Sequence, residues 1–401
     1  MSEEGETLLA SKVDKHHSHG STGDTTVMAS RAERLTSFSI DDFALPTGLE
    51  EEWRFTPVKK LARLFALTSP ETGTSEQLSW ETSVPEGVVI DSVDADGARE
   101  LVSAAPADRA AAAALVNSQG AVTVTIPANL ELTEPVKITL RGAGGAPAFG
   151  HVVFTIGENA KAVIVVDHQG SAEYSELLSI NAGAGSEVTF VSTQRWANDA
   201  VHAGQHDVLV GKDANFKHVA VTLGGALVRL NVNARYADIG GEVELFGLYY
   251  ADAGQHLEHR TFVDHNVANA KSNVLYKGAL QGAGAHTVWV GDVLIQKQAL
   301  GTDSYEKNQN LILTDGARAD SVPNLEIETG LIEGAGHASS TGRFDDEHLF
   351  YLQARGIPED VARRLVVRGY LHEILQKMQV PALEEELAEA LEEELNASEA
   401  L

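Results

Sequence analysis

The sequence of 401 residues contains no cysteine. Disulfides therefore cannot stabilise the chain, and the chain has no thiolate to offer as a soft metal ligand. The absence also fits a protein of the reducing cytosol. Aromatic residues make up only 6% of the sequence while hydrophobic residues make up 43%, so we expect a large core of mainly aliphatic side chains.

Positive charge is scarce as well. The sequence has 30 basic residues against 58 acidic ones, which gives a formal net charge of −28. Such a charge repels phosphate backbones, so we expect no nucleic-acid partner. No apolar run approaches the ~18 residues that span a bilayer, and the first residues lack the basic region of an export signal. The sequence therefore predicts a cytoplasmic protein with no membrane segment.

Common catalytic motifs are also missing. The fragment nearest to a nucleotide-binding loop, Gly211-Lys212-Asp213, ends in an acid and lacks the required glycine spacing. Neither a Gly-x-Ser-x-Gly elbow nor a His-Glu-x-x-His helix is present. We therefore expect no ATP hydrolysis, and the sequence offers no motif for a hydrolase.

What the sequence does contain is a repeat in its middle. Small residues occur at Ala160, Ser186, Ala214 and Gly241, at intervals of 26, 28 and 27 residues. Each is followed by a stretch typical of a strand: 161–166, 187–191, 215–221 and 242–248. A nearly constant interval of this length predicts stacked coils of a parallel β-helix. Spacing alone also permits a β-sandwich with regular hairpins.

The N-terminal part divides into two segments. Residues 1–30 are polar and non-periodic, and we expect them to be disordered. They include three histidines that can capture a metal, although no specific role is the favoured interpretation: His16, His17 and His19. Residues 31–118 are predicted to be helical. Pro57 suits the first turn of a helix, and Leu61, Leu64 and Phe65 would form its apolar face. Trp53 and Phe55 are expected to anchor the core. The alanine-rich segment 108–115 is predicted to be a second helix.

Residues 343–401 are predicted to form a C-terminal helical domain. Leu349, Phe350 and Leu352 supply an apolar face to its first helix, which ends near Gly356 and Pro358. The last 21 residues contain eight glutamates and no basic residue, which indicates a solvated acidic tail. A stripe of leucines at every fourth position is expected to pack on its own domain, with docking of a partner as the alternative: Leu383, Leu387, Leu391 and Leu395.

Besides the N-terminal histidines, a group of three histidines and the single His337 could bind metal. His256 and His259 lie three residues apart, so on a strand they point to opposite faces, and with His265 they are more typical of buried structural residues than of ligands. His337 is the stronger candidate because its neighbours, Gly336 and Ala338, leave the imidazole accessible.

Several motifs together resemble the SufB/SufD family of the SUF iron–sulfur cluster assembly system. The most specific is Gly334-Ala-Gly-His-Ala-Ser-Ser-Thr-Gly342, which runs into Arg343-Phe-Asp-Asp-Glu-His-Leu-Phe-Tyr-Leu-Gln-Ala-Arg-Gly356. Upstream, the likeness continues in the same order through Leu275-Tyr-Lys-Gly278, through 302–313 and through Pro323-Asn-Leu-Glu-Ile327. Because the chain has no cysteine, the resemblance is nearer to SufD than to SufB.

The resemblance implies a mainly β fold, with a right-handed parallel β-helix core over residues 119–342 and helical regions on both sides. It also implies a non-catalytic scaffold subunit that pairs with SufB and binds the ATPase SufC, with a homodimer as the alternative assembly. No cofactor is expected to bind stably, but a transient iron–sulfur cluster is expected at the interface with SufB.

Particular residues follow from the same resemblance. His337 is expected to be a ligand of that cluster, and Ala335 stands where related sequences often have cysteine. Leu349 and Phe350 are expected to contact SufC, and removal of residues 382–401 is expected to leave the complex intact. Tyr305, Lys307 and Asn308 are interpreted as part of an exposed strand edge that pairs with another subunit. The rival interpretation is a β-helix carbohydrate lyase or hydrolase, which would need clustered carboxylates in an aromatic groove.

Overall fold

The computed structural model describes residues 33–67, 77–344 and 346–397. The predicted tail with its three histidines lies outside them. The strands within these ranges are β1 (Leu78–Ser83), β2 (Val89–Asp94), β3 (Gly120–Ile126), β4 (Val136–Ala143), β5 (Ala148–Ile156), β6 (Lys161–Ser171), β7 (Glu173–Ala182), β8 (Glu187–Trp196), β9 (Val201–Val210), β10 (Asn215–Thr222), β11 (Leu227–Tyr236), β12 (Glu242–Ala251), β13 (His256–His265), β14 (Lys271–Leu280), β15 (His286–Ile295), β16 (Asp303–Ile312), β17 (Arg318–Ile327) and β18 (Gly334–Arg343). The helices are α1 (Ala95–Leu101), α2 (Arg109–Asn117), α3 (Asp346–Gln353), α4 (Glu359–Lys377) and α5 (Pro381–Ala397).

Successive strands alternate between two sheets, each of nine described strands. Sheet A has the order β1-β4-β6-β8-β10-β12-β14-β16-β18, and sheet B has the order β17-β15-β13-β11-β9-β7-β5-β3-β2. From β4 onward in sheet A and from β3 onward in sheet B, every pairing is parallel. One strand of each sheet makes one coil, so the predicted parallel β-helix is confirmed, and the β-sandwich alternative is wrong.

The repeat seen in the sequence sets the register of these coils. Lys161, Glu187, Asn215 and Glu242 each begin a strand of sheet A, and each pairs directly with its counterpart on the next coil. The small residues that precede them are buried. Equivalent positions therefore stack along the β-helix, and inward side chains of both sheets share one aliphatic core.

The N-terminal end is more mixed than predicted. Short 3-10 helices occupy Ile40–Asp42 and Val58–Phe65, and the predicted apolar residues Leu61, Leu64 and Phe65 are buried beside Trp53. The alanine-rich segment forms α2, which begins at an Asp108 cap and packs against β5 and β7. However, β1 and β2 also lie in the region expected to be helical, and both pair antiparallel with the first parallel strands. The prediction of a helical region missed these strands because their alternation of polar and apolar residues is weak.

The C-terminal helices pack on the outer face of sheet A. Side chains of α4 and α5 form one apolar cluster with outward residues of the sheet, such as Val219 and Phe246. The leucine stripe of α5 is buried in this cluster, as predicted. Glu386 on the same helix lies 3.2 Å from Lys137 and 3.4 Å from Arg195, so the acidic segment is not simply solvated as expected. None of the helices in the described ranges has the length and apolar character that a bilayer-spanning helix requires.

Candidate functional site at the last coil

Both sheets end in a strand that has only one neighbour within the described residues. β18 pairs with β16 in sheet A, and β17 pairs with β15 in sheet B. The amides of Gly334 and Phe344 donate to carbonyls of the preceding coil, those of Thr302 and Ile312. Because alternate residues of a parallel strand bond to opposite sides, the amides of odd-numbered residues in β18 point to the free edge. The last coil therefore presents two parallel edges that can accept further strands.

His337 lies in the middle of β18, directly opposite Glu306 on β16. Its side chain is 43% exposed, and its Nδ1 lies 3.8 Å from Oε1 of the fully buried Glu306. Ala335, two residues earlier, packs against the aliphatic core. His337 is thus on the inward side of the last coil, where the interior of the β-helix opens to solvent, and one imidazole nitrogen remains available to a ligand.

The glutamate beneath that histidine, Glu306, has a buried carboxyl group with a raised pKa. Burial and, secondarily, the nearby Asp292 carboxylate raise the pKa of Glu306 to about 8. Its carboxyl group has room because residue 291 is glycine: a Cβ there would lie 2.5 Å from Oε2 of Glu306 and 2.3 Å from the Trp289 ring. At neutral pH Glu306 is therefore mostly a carboxylic acid that can donate a proton or a hydrogen bond.

The structure corrects the interpretation of the segment around Lys307. β16 has neighbours on both sides, so it is not the strand edge expected from Tyr305, Lys307 and Asn308. Tyr305 is exposed, whereas Asn308 is buried and donates to the Tyr249 hydroxyl at 2.8 Å. The alternation of polar residues reflects a polar interior at this coil, and the free edge belongs to β18, one coil later.

The histidines of β13 have no common partner. His256 lies 3.2 Å from Glu258, which also pairs with Arg229 and Arg260 under the N-terminal region. On the other face, His259 stacks on Tyr249 and contacts Thr222. His265 contacts the Ser272 hydroxyl. This arrangement supports the interpretation that all three are structural residues of the β-helix.

Leu349 and Phe350 on α3 have different environments. Leu349 is 6% exposed, while Phe350 is 72% exposed. The next residue, Tyr351, is also exposed, and the Arg355 guanidinium lies 3.7 Å from its ring centroid. Both exposed aromatic side chains of α3 are of a type enriched in contacts with protein partners.

A second polar group was missed by the sequence analysis. His168, Glu176, His202 and His206 lie together inside the β-helix. They are scattered over nearly forty residues, so ordinary ligand spacing does not reveal them. Projecting the sequence on the repeat of 26–28 residues would have brought Glu176 close to His202 and His206, but not to His168, which lies in the other sheet.

The comparisons with known proteins agree on one family. Residues 138–370 match the family described as "SUF system FeS cluster assembly, SufBD core domain". An iron–sulfur cluster assembly SufBD family protein of Mycobacterium bovis is 49% identical over 376 residues, which cover 92% of this chain and 94% of the relative. One from Mycobacterium leprae is 46% identical over 384 residues, covering 94% and 97%. The Escherichia coli iron–sulfur cluster assembly protein SufD is 26% identical over 186 residues, covering 46% and 44%. This chain therefore belongs to the SufBD family of the SUF iron–sulfur cluster assembly system.

Proposed function

We propose that this chain acts as the SufD-type, non-catalytic scaffold subunit of a SUF complex, pairing with SufB and binding the ATPase SufC. The observation that carries the proposal is the open last coil, with His337 half-exposed above a buried carboxylic acid. The free edges of β17 and β18 can pair with strands of another protein and so extend both sheets across an interface. The absence of cysteine assigns the thiolates of any cluster to the partner.

His337 is the residue of this chain that would contribute to the shared site. A neutral imidazole is a competent iron ligand, and Glu306 behind it can exchange a proton when a ligand binds. In this proposal the cluster is the transient cargo of the complex and does not remain on this chain. Because residue 335 is alanine, this subunit contributes no thiolate to the site. Among the described residues 334–343, His337 is the only side chain of a type that commonly binds iron.

SufC is proposed to dock on the C-terminal helices. Phe350 and Tyr351 offer an exposed aromatic pair, while α4 and α5 are anchored to sheet A and hold α3 in place. The alternative of a β-helix carbohydrate lyase or hydrolase loses its basis, because the chain belongs to a cluster assembly family.

Co-expression with SufB and SufC of the same organism tests the assembly. We expect the three chains to co-elute as one species from a size-exclusion column, with this chain purified untagged. If SufB and SufC elute together while this chain elutes alone, as a monomer or a homodimer, the proposed role is wrong.

A further inference from the structure

Three histidines surround one glutamate in the interior of the β-helix. His168 lies on β6, Glu176 on β7, and His202 and His206 on β9, and all four side chains are at most 1% exposed. Glu176 pairs with Gly204, so it sits between the two histidines of β9. A Cβ at position 204 would lie 3.3 Å from Nε2 of His202, so glycine keeps the space beside that nitrogen open.

The two distances from histidine to Glu176 in this cluster are near the separations of ligands around a metal ion. Nε2 of His168 lies 3.1 Å from Oε1 of Glu176, and Nε2 of His202 lies 3.8 Å from Oε2. One potential ligand atom from each of His168, Glu176 and His202 lies within 4.8 Å of the others. Tetrahedral ligands at about 2.1 Å from zinc are separated by roughly 3.4 Å.

The far nitrogens of two of the imidazoles are already occupied. Nδ1 of His168 lies 2.9 Å from the Thr193 carbonyl oxygen, and Nδ1 of His202 lies 2.8 Å from Oε1 of Gln194. The Gln194 amide is oriented because its nitrogen donates to Ser192. Since carbonyl oxygens only accept, Nδ1 of His168 carries a proton, and its Nε2 lies against Oε1 of Glu176, so a metal ion bound there replaces the proton that these two atoms share. Nδ1 of His202 also lies 3.2 Å from the donating Trp196 indole nitrogen, and its Nε2 is directed to Glu176. Metal-binding histidines are held in this way by their second nitrogen.

Several atoms of the cluster have no hydrogen-bond partner although they are buried. They are Oε2 of Glu176, Nε2 of His202 and Nε2 of His206. The close hydrogen bonds of Glu176, from His168 and from the Tyr174 hydroxyl, involve Oε1, while Oε2 has only the longer approach of Nε2 of His206 at 3.5 Å. An unpaired buried carboxylate oxygen is costly. A cation in contact with Oε2 and with Nε2 of His202 satisfies both atoms at once.

We propose that His168, Glu176 and His202 bind a divalent first-row transition metal ion, of which zinc and ferrous iron are the candidates. Two imidazoles and one carboxylate suit such ions, whereas magnesium and calcium prefer all-oxygen sites. His206, 3.5 Å from Oε2 of Glu176, is the nearest residue for a fourth ligand. The inference is independent of the proposed function, because it involves neither His337 nor the partners.

Burial determines how such an ion would behave. With every ligand at most 1% exposed, the ion enters while the coils built by β6, β7 and β9 are forming and exchanges slowly afterwards. A folded sample should therefore keep its ion during treatment with EDTA and release it on unfolding. The N-terminal histidines at 16, 17 and 19 belong to the segment outside the described residues.

The test measures metal in the untagged full-length chain. The protein is expressed with added zinc, or anaerobically with added ferrous iron, then washed with EDTA and analysed by mass spectrometry for metals. We expect about one ion per chain in the wild type and about a tenfold loss or more in Glu176→Gln and His202→Gln. His259→Gln, which changes a buried histidine outside the cluster, should keep the ion.

Refolding makes the result independent of whether the variants fold. The wild-type chain is unfolded in urea with a chelator and refolded with zinc, with cobalt, or without metal. We expect a higher melting temperature after refolding with zinc, and visible absorption bands of tetrahedral cobalt after refolding with cobalt. A wild type that holds no EDTA-resistant ion and melts at the same temperature in all three samples overturns the proposal. So does Glu176→Gln that retains the wild-type amount; the cluster would then be a buried ion pair of His168 and Glu176.

Discussion

His337 and Glu306 face each other across the last two coils, with Nδ1 of the histidine 3.8 Å from Oε1 of the glutamate. The histidine is half-exposed at a free sheet edge, and the glutamate is buried beneath it. The pair places an accessible imidazole and a protonated carboxyl group at the C-terminal end of the β-helix, where β17 and β18 each have a free edge within the described residues. In the proposed function, this arrangement links the fold to cluster assembly.

Glu306 should make stability depend on pH. Its pKa is about 8 in the folded chain, so the folded state keeps a proton that the unfolded state loses above its ordinary pKa near 4.5. The contribution of the protonated Glu306 to the free energy of unfolding is complete below pH 4.5 and is lost as the pH rises to 8. The loss is on the order of 5 kcal/mol. Glu306→Gln should remove this loss. The difference in the free energy of unfolding between pH 5 and pH 8.5 is measured by urea unfolding of both proteins. Asp207, whose pKa is raised to about 6, contributes equally to the pH dependence of both proteins and therefore cancels in the comparison. Parallel pH dependence of the two proteins would contradict the assignment.

The free edge of β18 can be tested with two adjacent serines. The Ser339 amide points away from β16, so Ser339→Pro should leave stability of the isolated chain nearly unchanged and weaken pairing with SufB. The Ser340 amide points to β16, so Ser340→Pro should cost about 1–3 kcal/mol in the isolated chain. Chemical denaturation and a pull-down with SufB measure the two effects. Equal binding of SufB by the wild type and by Ser339→Pro would show that the edge is not used.

A substitution at Phe350 should distinguish loss of SufC binding from loss of folding. Because its side chain is 72% exposed, Phe350→Asp should leave the chain folded and abolish binding of SufC. Leu349→Asp places a charge in a buried position and should unfold α3, so it cannot report on docking. The matched control is Leu365→Asp, which changes an exposed leucine on α4. Calorimetric titration with SufC measures binding; unchanged affinity in Phe350→Asp would refute this surface.

Truncation before α5 should destabilise the chain, a point that the expectation of an intact complex without residues 382–401 did not consider. Residues 381–397 bury four leucines against α4 and sheet A, and each buried leucine is worth about 2 kcal/mol. A chain that ends at residue 380 should therefore melt at a lower temperature and expose an apolar face that binds a hydrophobic dye. Changing the exposed Glu385 and Glu389 to Gln, which alters charge on the solvent side of α5, should have little effect. A truncated chain with the wild-type melting temperature would contradict the packing.

The sequence predicted the repeating part of this fold well because stacking imposes its own period. Ala160, Ser186, Ala214 and Gly241 mark the corners where each coil of sheet A begins, and the strands start at the next residue. The end strands were not predicted, since β1 and β2 pair antiparallel outside the repeat. Which strand is the free edge depends on how many coils are present, and for that reason the segment around Lys307 was interpreted wrongly.

The candidate site was predicted in part. His337 was selected because its small neighbours leave the imidazole accessible, and the structure places it at the open coil. The protonated state of Glu306 could not be foreseen, because it depends on burial by Trp289 and on Asp292 from another strand. The interior histidines were missed because their proximity arises from coils that are distant in sequence.

The most direct test of the account is cluster formation with His337→Ala. The imidazole is half-exposed and makes no close hydrogen bond within the described part of the chain. The free energy of unfolding should therefore change by less than about 1 kcal/mol in His337→Ala and also in the control Ser340→Ala. The measurement is the amount of iron and sulfide, with the visible absorption of the cluster, on intact complexes reconstituted with SufB and SufC. We predict that His337→Ala lowers cluster yield sharply while Ser340→Ala does not. Wild-type yield from an intact His337→Ala complex would contradict the central claim that this chain completes the cluster site through His337.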